Sequence, residues 1–254
     1  MRIAVLADNH GNQAALDAVL QDLAAAAPDA VVNLGDHLSG PLEAGEVADL
    51  LASRSDWVHI RGNHDRRLIE QPPAVMIPSD RAASEQLNER RRAWLRTLQA
   101  GAVLGEGVRL FHGTPASDSE YLLEDVSLGF ARLASGPQIR SRLGHLTGLV
   151  LCGHSHVPRF VRLEDGTAIL NPGSVGLQAY DDPDDLHPHV IENGSPHARY
   201  ALVERAGREW RATFRAVEYD WAAAARTARE RGRPDWEYHL LTGYAAKPDA
   251  ARTL

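Results

Sequence analysis

Five short apolar runs in this chain end in the same chemistry, a glycine beside an aspartate, asparagine or histidine. Arg2–Ala7 leads into Asp8-Asn9-His10-Gly11-Asn12, and Ala30–Leu34 into Gly35-Asp36. Trp57–Ile60 leads into Gly62-Asn63-His64-Asp65, Val108–Phe111 into His112-Gly113, and Leu149–Cys152 into Gly153-His154-Ser155-His156. Runs rich in Val, Ile and Leu, several apolar on both faces, read as strands buried between layers; Ala168–Leu170 is a sixth. Between the first two lies Asn12–Ala27, where Leu16, Val19, Leu20 and Leu23 fall at i, i+3, i+4 and i+7. That is one helical face, and Pro28 stops it. Glu43–Ser53 and Ser84–Gln99 are further helix candidates. Strand–helix–strand alternation predicts a layered α/β domain. The ligand crevice of such a sheet lies at the carboxyl ends of its strands, so the sequence aims all five polar clusters at one edge.

The tail follows a different pattern. Arg199–Glu204 and Trp210–Val217, on either side of Ala206-Gly207, predict a β-hairpin. Asp220 has the chemistry of an N-cap for Trp221–Arg231, and Gly232 that of a C-cap. Pro234–Leu254 is expected to form a short helix and a loose end, and Asp181–Asp185 a solvated acidic loop. No internal repeat or linker interrupts the 254 residues. One domain is the expectation, with core motifs at 8–176 and hairpin and helices at 199–250.

Other partners are constrained by composition. No apolar run reaches the ~18 residues of a membrane-spanning helix, and Met1–Ala7 is too short for a signal-peptide core. A single cysteine permits no intrachain disulfide, which fits a reducing compartment. A cytoplasmic protein without a membrane partner is expected. The net charge of −7 argues against a long nucleic acid as partner. All 27 basic residues except Lys247 are arginine, a compositional bias that carries little functional information.

Residues i and i+2 of an extended chain point the same way. Asp8 with His10, and His154 with His156, can therefore each present two side chains to one pocket. Glycines beside them let the backbone turn sharply and approach a ligand. Each motif alone is the ordinary chemistry of a turn or cap. Five such strand ends together, holding five of the chain's 12 histidines, are not. Cys152 ends a buried strand and reads as a small core residue.

The same residues resemble the calcineurin-like metallophosphoesterase family. Its pattern runs Asp-x-His, Gly-Asp, Gly-Asn-His-Asp or -Glu, a later His, and Gly-His-x-His, all present in order between Asp8 and His156. The likeness to its small bacterial phosphodiesterase branch extends to Asp8–Asn12, Gly35–Pro41 and Asn171–Gly176. It covers residues 1–180 strongly and the tail more loosely. The resemblance implies a four-layer αββα sandwich. It implies that Asp8, His10 and His156 hold one metal ion, that Asn63, His112 and His154 hold a second, and that Asp36 bridges both. His64 resembles the family's catalytic histidine, beside the metals and not bound to them. A set of Asp, His and Asn donors suits transition metals such as Mn, Fe or Zn better than Ca²⁺. Two such ions about 3.5–4 Å apart can hold a hydroxide between them and clamp phosphate oxygens for in-line displacement. His64 would protonate the leaving oxygen.

The branch departures bear on the substrate. In the protein-phosphatase branch an Arg stands four residues after the Gly-Asp aspartate; here that place is Gly40. The third motif ends in Asp65 and not Glu, and the fourth reads His112-Gly113-Thr114-Pro115. These departures favour phosphodiesters of small molecules, such as cyclic nucleotides or dinucleotides. A phosphomonoesterase acting on phosphoproteins or small molecules is the alternative. A non-catalytic scaffold, like the retromer subunit of this fold, is more remote, because His64 and every ligand position are kept. Asn12 and His37 lie next to ligands, and Arg66 and Arg67 follow the third motif; all are candidates to touch substrate. Local hydrogen bonds, and a solvated pair for the arginines, are the competing readings. Ser84–Gln99, with Arg90, Arg91, Arg92 and Arg96 against Leu87, Trp94, Leu95 and Leu98, predicts an amphipathic helix with a solvated basic face.

Overall fold

The computed structural model describes residues 1–105, 107–183, 187–207 and 209–245. With strands numbered in chain order, one sheet runs β14 (Glu209–Val217), β13 (Ala198–Ala206), β1 (Arg2–Leu6), β2 (Ala30–Asn33), β3 (Val58–His59). A second runs β4 (Gly101–Leu104), β5 (Val108–Phe111), β8 (Leu149–Leu151), β10 (Ala168–Asn171), β9 (Arg159–Arg162). Two small hairpins, β6–β7 (Glu124–Asp125, Arg132–Leu133) and β11–β12 (Ala179–Asp182, His189–Glu192), stand apart from both sheets. The central pairs β1/β2/β3 and β5/β8/β10 are parallel.

The alternation of side chains along a strand builds the layers. Ile3 and Val5 of β1, with Val32, Leu34, Ala201 and Val203, face Val108, Leu110, Leu149, Leu151 and Leu170 of the other sheet. Ala4 and Leu6 point the opposite way. They pack under Leu16, Val19 and Leu23 of α1 (Gln13–Ala26) and Val47 and Leu51 of α2 (Ala44–Ala52). On the far side Val150, Cys152 and Ile169 pack against Ile139 and Leu143 of α6 (Gly136–Leu143), so Cys152 is a core residue. Helix, sheet, sheet and helix follow in that order, the expected four layers.

The ends of α1 match the sequence chemistry. The Asn12 side chain accepts from Ala15 N, and Ala27 turns left-handed before Pro28. Asp220 likewise caps α7 (Trp221–Glu230), accepting from Ala223 N. Gly232 follows with φ +77°. Helices α7 and α8 (Pro234–Thr242) bring Ala225, Trp236 and Leu240 onto Leu42 and Leu177. Residues 246–254, the expected loose end, lie outside the described residues.

Four expectations need correction. Ser84–Gln99 shortens to α5 (Glu89–Thr97), capped by Asn88 through Arg91 N, and Ser84 ends a separate helix, α4 (Pro78–Ser84). The basic face of α5 is not simply solvated. Arg90 and Arg91 bond Asp49 of α2, Arg92 bonds the carbonyls of Leu68 and Ser84, and Arg96 bonds Glu89. The run Trp57–Ile60 shortens to Val58–His59, with Ile60 bridged to Gln99. Asp181 and Asp182 continue β11 and are not loop; Asp184 and Asp185 lie outside the described residues. Among the described residues no helix is long and apolar enough to cross a membrane.

Candidate metal centre

Because β1, β2, β5 and β8 run parallel within their sheets, the residues that follow them meet along one edge. The first sheet supplies Asp8, His10 and Asp36, with Asn63 and His64 opening α3 (Asn63–Glu70) after β3; the second supplies His112, His154 and His156. The backbone turns hard to do this. Asp8, His10, Asp36, His154 and His156 have φ of 56°, 51°, 53°, 70° and 58°. Left-handed backbone at a non-glycine residue costs on the order of 1–3 kcal/mol and persists where its surroundings impose it. Ala27 is the one other such residue among those described.

Two groups of ligand atoms result, Asp8, His10 and His156 in one, Asp36, His112 and His154 in the other, each with atoms within 4.8 Å of one another. In the first, His10 Nε2 and His156 Nε2 are 3.1 Å apart, and Asp8 Oδ1 is 3.5 Å from His156 Nε2. In the second, His112 Nε2 lies 3.1 Å from Asp36 Oδ2 and 3.0 Å from Asn63 Oδ1, which joins the group. The groups adjoin, with His112 Nε2 4.0 Å from Asp8 Oδ1.

The surroundings fit a cation. Asp8 Oδ1 and Asp36 Oδ2 are buried oxygens without a hydrogen-bond donor in good geometry. Three histidines donate Nδ1–H to backbone carbonyls: His10 to Ser39, His112 to Leu34 and His156 to Leu177, each at 2.7 Å. That fixes the ring and leaves Nε2 as the atom available to a metal. Burial, reinforced by His156, pulls His10 down to about 4; burial with His112 pulls His154 to about 3. Both are neutral imidazoles, the form that binds metal. Burial also opposes charge on His112, but Asp36 outweighs it and lifts the ring to about 10. Burial raises Asp8 and Asp36 as well, yet His156 and His112 respectively hold them below the ordinary carboxylate value.

Two aspartates that carry the site escaped the motif reading as functional groups. Asp65 accepts backbone N–H from Asp36 (2.9 Å), His37 (3.0 Å) and Gly62 (3.0 Å), clamping the second strand's turn to the third's. A Cβ on Gly62 would stand 2.1 Å from Asp36 Oδ1, so only glycine permits this approach. Asp80 of α4 is fully buried and lies 2.7 Å from His64 Nδ1 while accepting the Ser39 hydroxyl at 2.6 Å. Burial pulls His64 down, but Asp36 and Asp80 outweigh it and hold the ring above its ordinary value. No motif marks Asp80, and the run before it is largely exposed, so no sequence pattern singles it out.

The site opens into a cavity of about 1230 Å³. Beside His10 and His64 its wall comes from Arg67, Gln71, Val75, Ile77, Ser79 and Trp236. Beside His154 and His156 stand Tyr121 and Tyr180, with ring centroids 4.7 Å from His154 and 4.8 Å from His156 respectively. Asn12, His37 and Arg66 do not line the cavity. Asn12 is consumed by its cap and by bonds to Gly176 O and Tyr219 Oη. His37 is buried, its Nε2 3.1 Å from Ile60 O and its ring against Trp94. Arg66 makes a two-pronged pair with Asp118. Arg67 reaches the cavity instead.

A four-layer sandwich whose strand ends gather carboxylates and imidazoles at one edge has the architecture of a metal-dependent phosphoesterase. Residues 1–191 match the calcineurin-like phosphoesterase superfamily domain, and the chain belongs to that family of hydrolases. It is similar to a metallophosphoesterase of Sphaerobacter thermophilus, 26% identical, TM-score 0.73, over 96% of this chain and 99% of that one. A hypothetical protein of Pyrococcus horikoshii OT3 shares the fold at 20% identity and TM-score 0.72, with the same coverage. An uncharacterized protein of Methanocaldococcus jannaschii is 24% identical across 92% of this chain and 94% of its own length.

Proposed function

We propose that this chain is a two-metal phosphodiesterase acting on small molecules. The observation that carries the reading is a cavity walled on both flanks of the ligand groups, by α3, α4 and α8 beside His64 and by Tyr121 and Tyr180 beside His154. A phosphate seated there has room for a substituent on each side. In this reading Asp8, His10 and His156 hold one metal ion, Asn63, His112 and His154 the other, and Asp36 serves both. Manganese, iron or zinc fits the donors. When bound, the pair of ions would neutralise the phosphate and supply a nucleophile near neutral pH. The protein's own contribution is positional. Asp80 fixes His64 through Nδ1, leaving Nε2 to give its proton to the departing oxygen. Gly40 supports the diester reading: a side chain there would meet His10 O at 2.6 Å and Trp236 at 2.7 Å, so no arginine fits to grip a phosphate dianion.

The test is hydrolysis of bis-p-nitrophenyl phosphate against p-nitrophenyl phosphate with added Mn²⁺, together with metal analysis. The diester should be preferred, and His64→Ala should lose ~10²–10⁴-fold in turnover while keeping both metals. A monoester preference would make the protein a phosphomonoesterase, and undiminished turnover in the variant would remove His64 from the reaction.

A further inference from the structure

Three arginines line the cavity, and two are already committed. Arg142 bonds the carbonyls of Leu122 and Glu124, and Arg233 pairs with Asp235 and bonds Ser79 Oγ. Arg67 makes no side-chain hydrogen bond or ion pair among the described residues, although its neighbour Arg66 is tied to Asp118. It is half-buried, so its charge is held at the wall without a counter-ion. Gln71, four residues on and also lining the cavity, likewise leaves its amide without a partner among the described residues.

Gln71 caps the C-terminal end of α3, and within the helix Arg67 is in register with His64. Arg67 lies three residues after it, on the same face and about 4.5 Å further along the axis. A ligand whose departing oxygen is at His64 therefore extends its leaving fragment past Arg67. A guanidinium with free N–H donors recognises the oxygens of phosphate in a fixed fork, and an amide N–H₂ adds a donor without charge.

We propose that Arg67, with Gln71, forms a subsite for a second phosphate carried on the leaving fragment, so that the substrate is a phosphoester or phosphoanhydride with an anionic leaving group. This rests on the phosphodiesterase reading. Water adds to the scissile phosphorus, the bond from phosphorus to the bridging oxygen breaks, and that oxygen takes a proton from His64. The fragment then departs with its own phosphate on Arg67. A dinucleoside triphosphate has this form, since cleavage beside one nucleoside monophosphate releases a nucleoside diphosphate.

The experiment compares wild type, Arg67→Ala and Arg67→Gln on diadenosine triphosphate and on bis-p-nitrophenyl phosphate, whose leaving group has no phosphate. Both variants should raise KM for the triphosphate at least ~10-fold and leave kcat/KM for the aryl diester within about two-fold. Calorimetric titration of the metal-free protein with inorganic tripolyphosphate should show the same loss of affinity in both variants. Equal losses on both substrates, or none, overturn the subsite, as does unchanged tripolyphosphate binding. Wild type that cleaves the aryl diester but not the triphosphate also overturns it and leaves the phosphodiesterase reading standing. Cleavage of neither removes that reading, and the titration alone then decides Arg67.

Discussion

Single residues at this site do their work through where the backbone sends them. The clustering of these side chains was readable because Asp, Asn and His immediately after apolar strands have few structural reasons to recur five times. Their neighbours misled: His37 follows Asp36, whose left-handed backbone turns the chain so that the His37 ring meets Ile60 and Trp94. Asn12 was taken by helix capping, a local demand that outranks proximity to the ligands. Asp80 was illegible, being placed by tertiary packing 16 residues from the ring it holds. Asp80→Asn replaces a charge-assisted contact to His64 Nδ1 by a neutral one. Such bonds contribute about 1.5–3 kcal/mol, so turnover should fall ~10-fold or more with metal content unchanged. An Asp80→Asn enzyme with wild-type turnover, measured beside its metal content, would reduce Asp80 to a structural contact of Ser39.

Among elements, the clearest lesson comes from the basic stretch. Its charge and apolar residues were read as one helix from Ser84, but that helix starts only at Glu89; a separate α4 ends at Ser84 and brings Asp80 under the site, while α5 is tied to α2 through Asp49. The tail hairpin was legible from turn chemistry, but its anchorage was not. Asp22 of α1 accepts the Tyr200 hydroxyl from β13 and two N–H groups of Arg215 from β14. The hydrogen bonds from Arg215, more than any other cause, hold Asp22 below its ordinary value. A carboxylate depressed in the folded state stabilises fully above its unfolded value near 4, and the contribution is lost as pH falls through the folded value. Arg215 is 44% exposed, so screening limits the effect. Asp22→Asn should cost about 1 kcal/mol or less at pH 7 and less in acid, at about pH 2. Urea midpoints at the two pH values test this, and a deficit that persists undiminished in acid would exclude the ionic origin.

For the whole molecule, layers were readable from alternation and the strand–helix order, whereas the edge strands β4 and β9 were not, since half-exposed residues blur their pattern. The first sheet presents two unpaired carboxylate oxygens, Asp8 Oδ1 and Asp36 Oδ2, at the edge it shares with the second. A bound cation satisfies them only in the folded state, so it must raise stability. At about 100 times Kd the gain is ~2.7 kcal/mol; for a domain of this size that is a rise of about 5–10 °C in Tm. Thermal unfolding after chelation and again after Mn²⁺ is restored measures it, and coincident curves would contradict a metal centre at these residues.

The centre also spans a seam. Asp8, His10, Asp36 and Asn63 belong to one sheet, and His112, His154 and His156 to the other, with the mutual core of Val5, Val203, Leu110 and Leu151 between them. Coordination chemistry tolerates only a few tenths of an ångström in ligand distance, so a bound ion would act as a clasp whose closure gauges how the sheets are stacked. Slippage anywhere along that dry interface would be felt first as weakened ion affinity, long before the fold itself gave way.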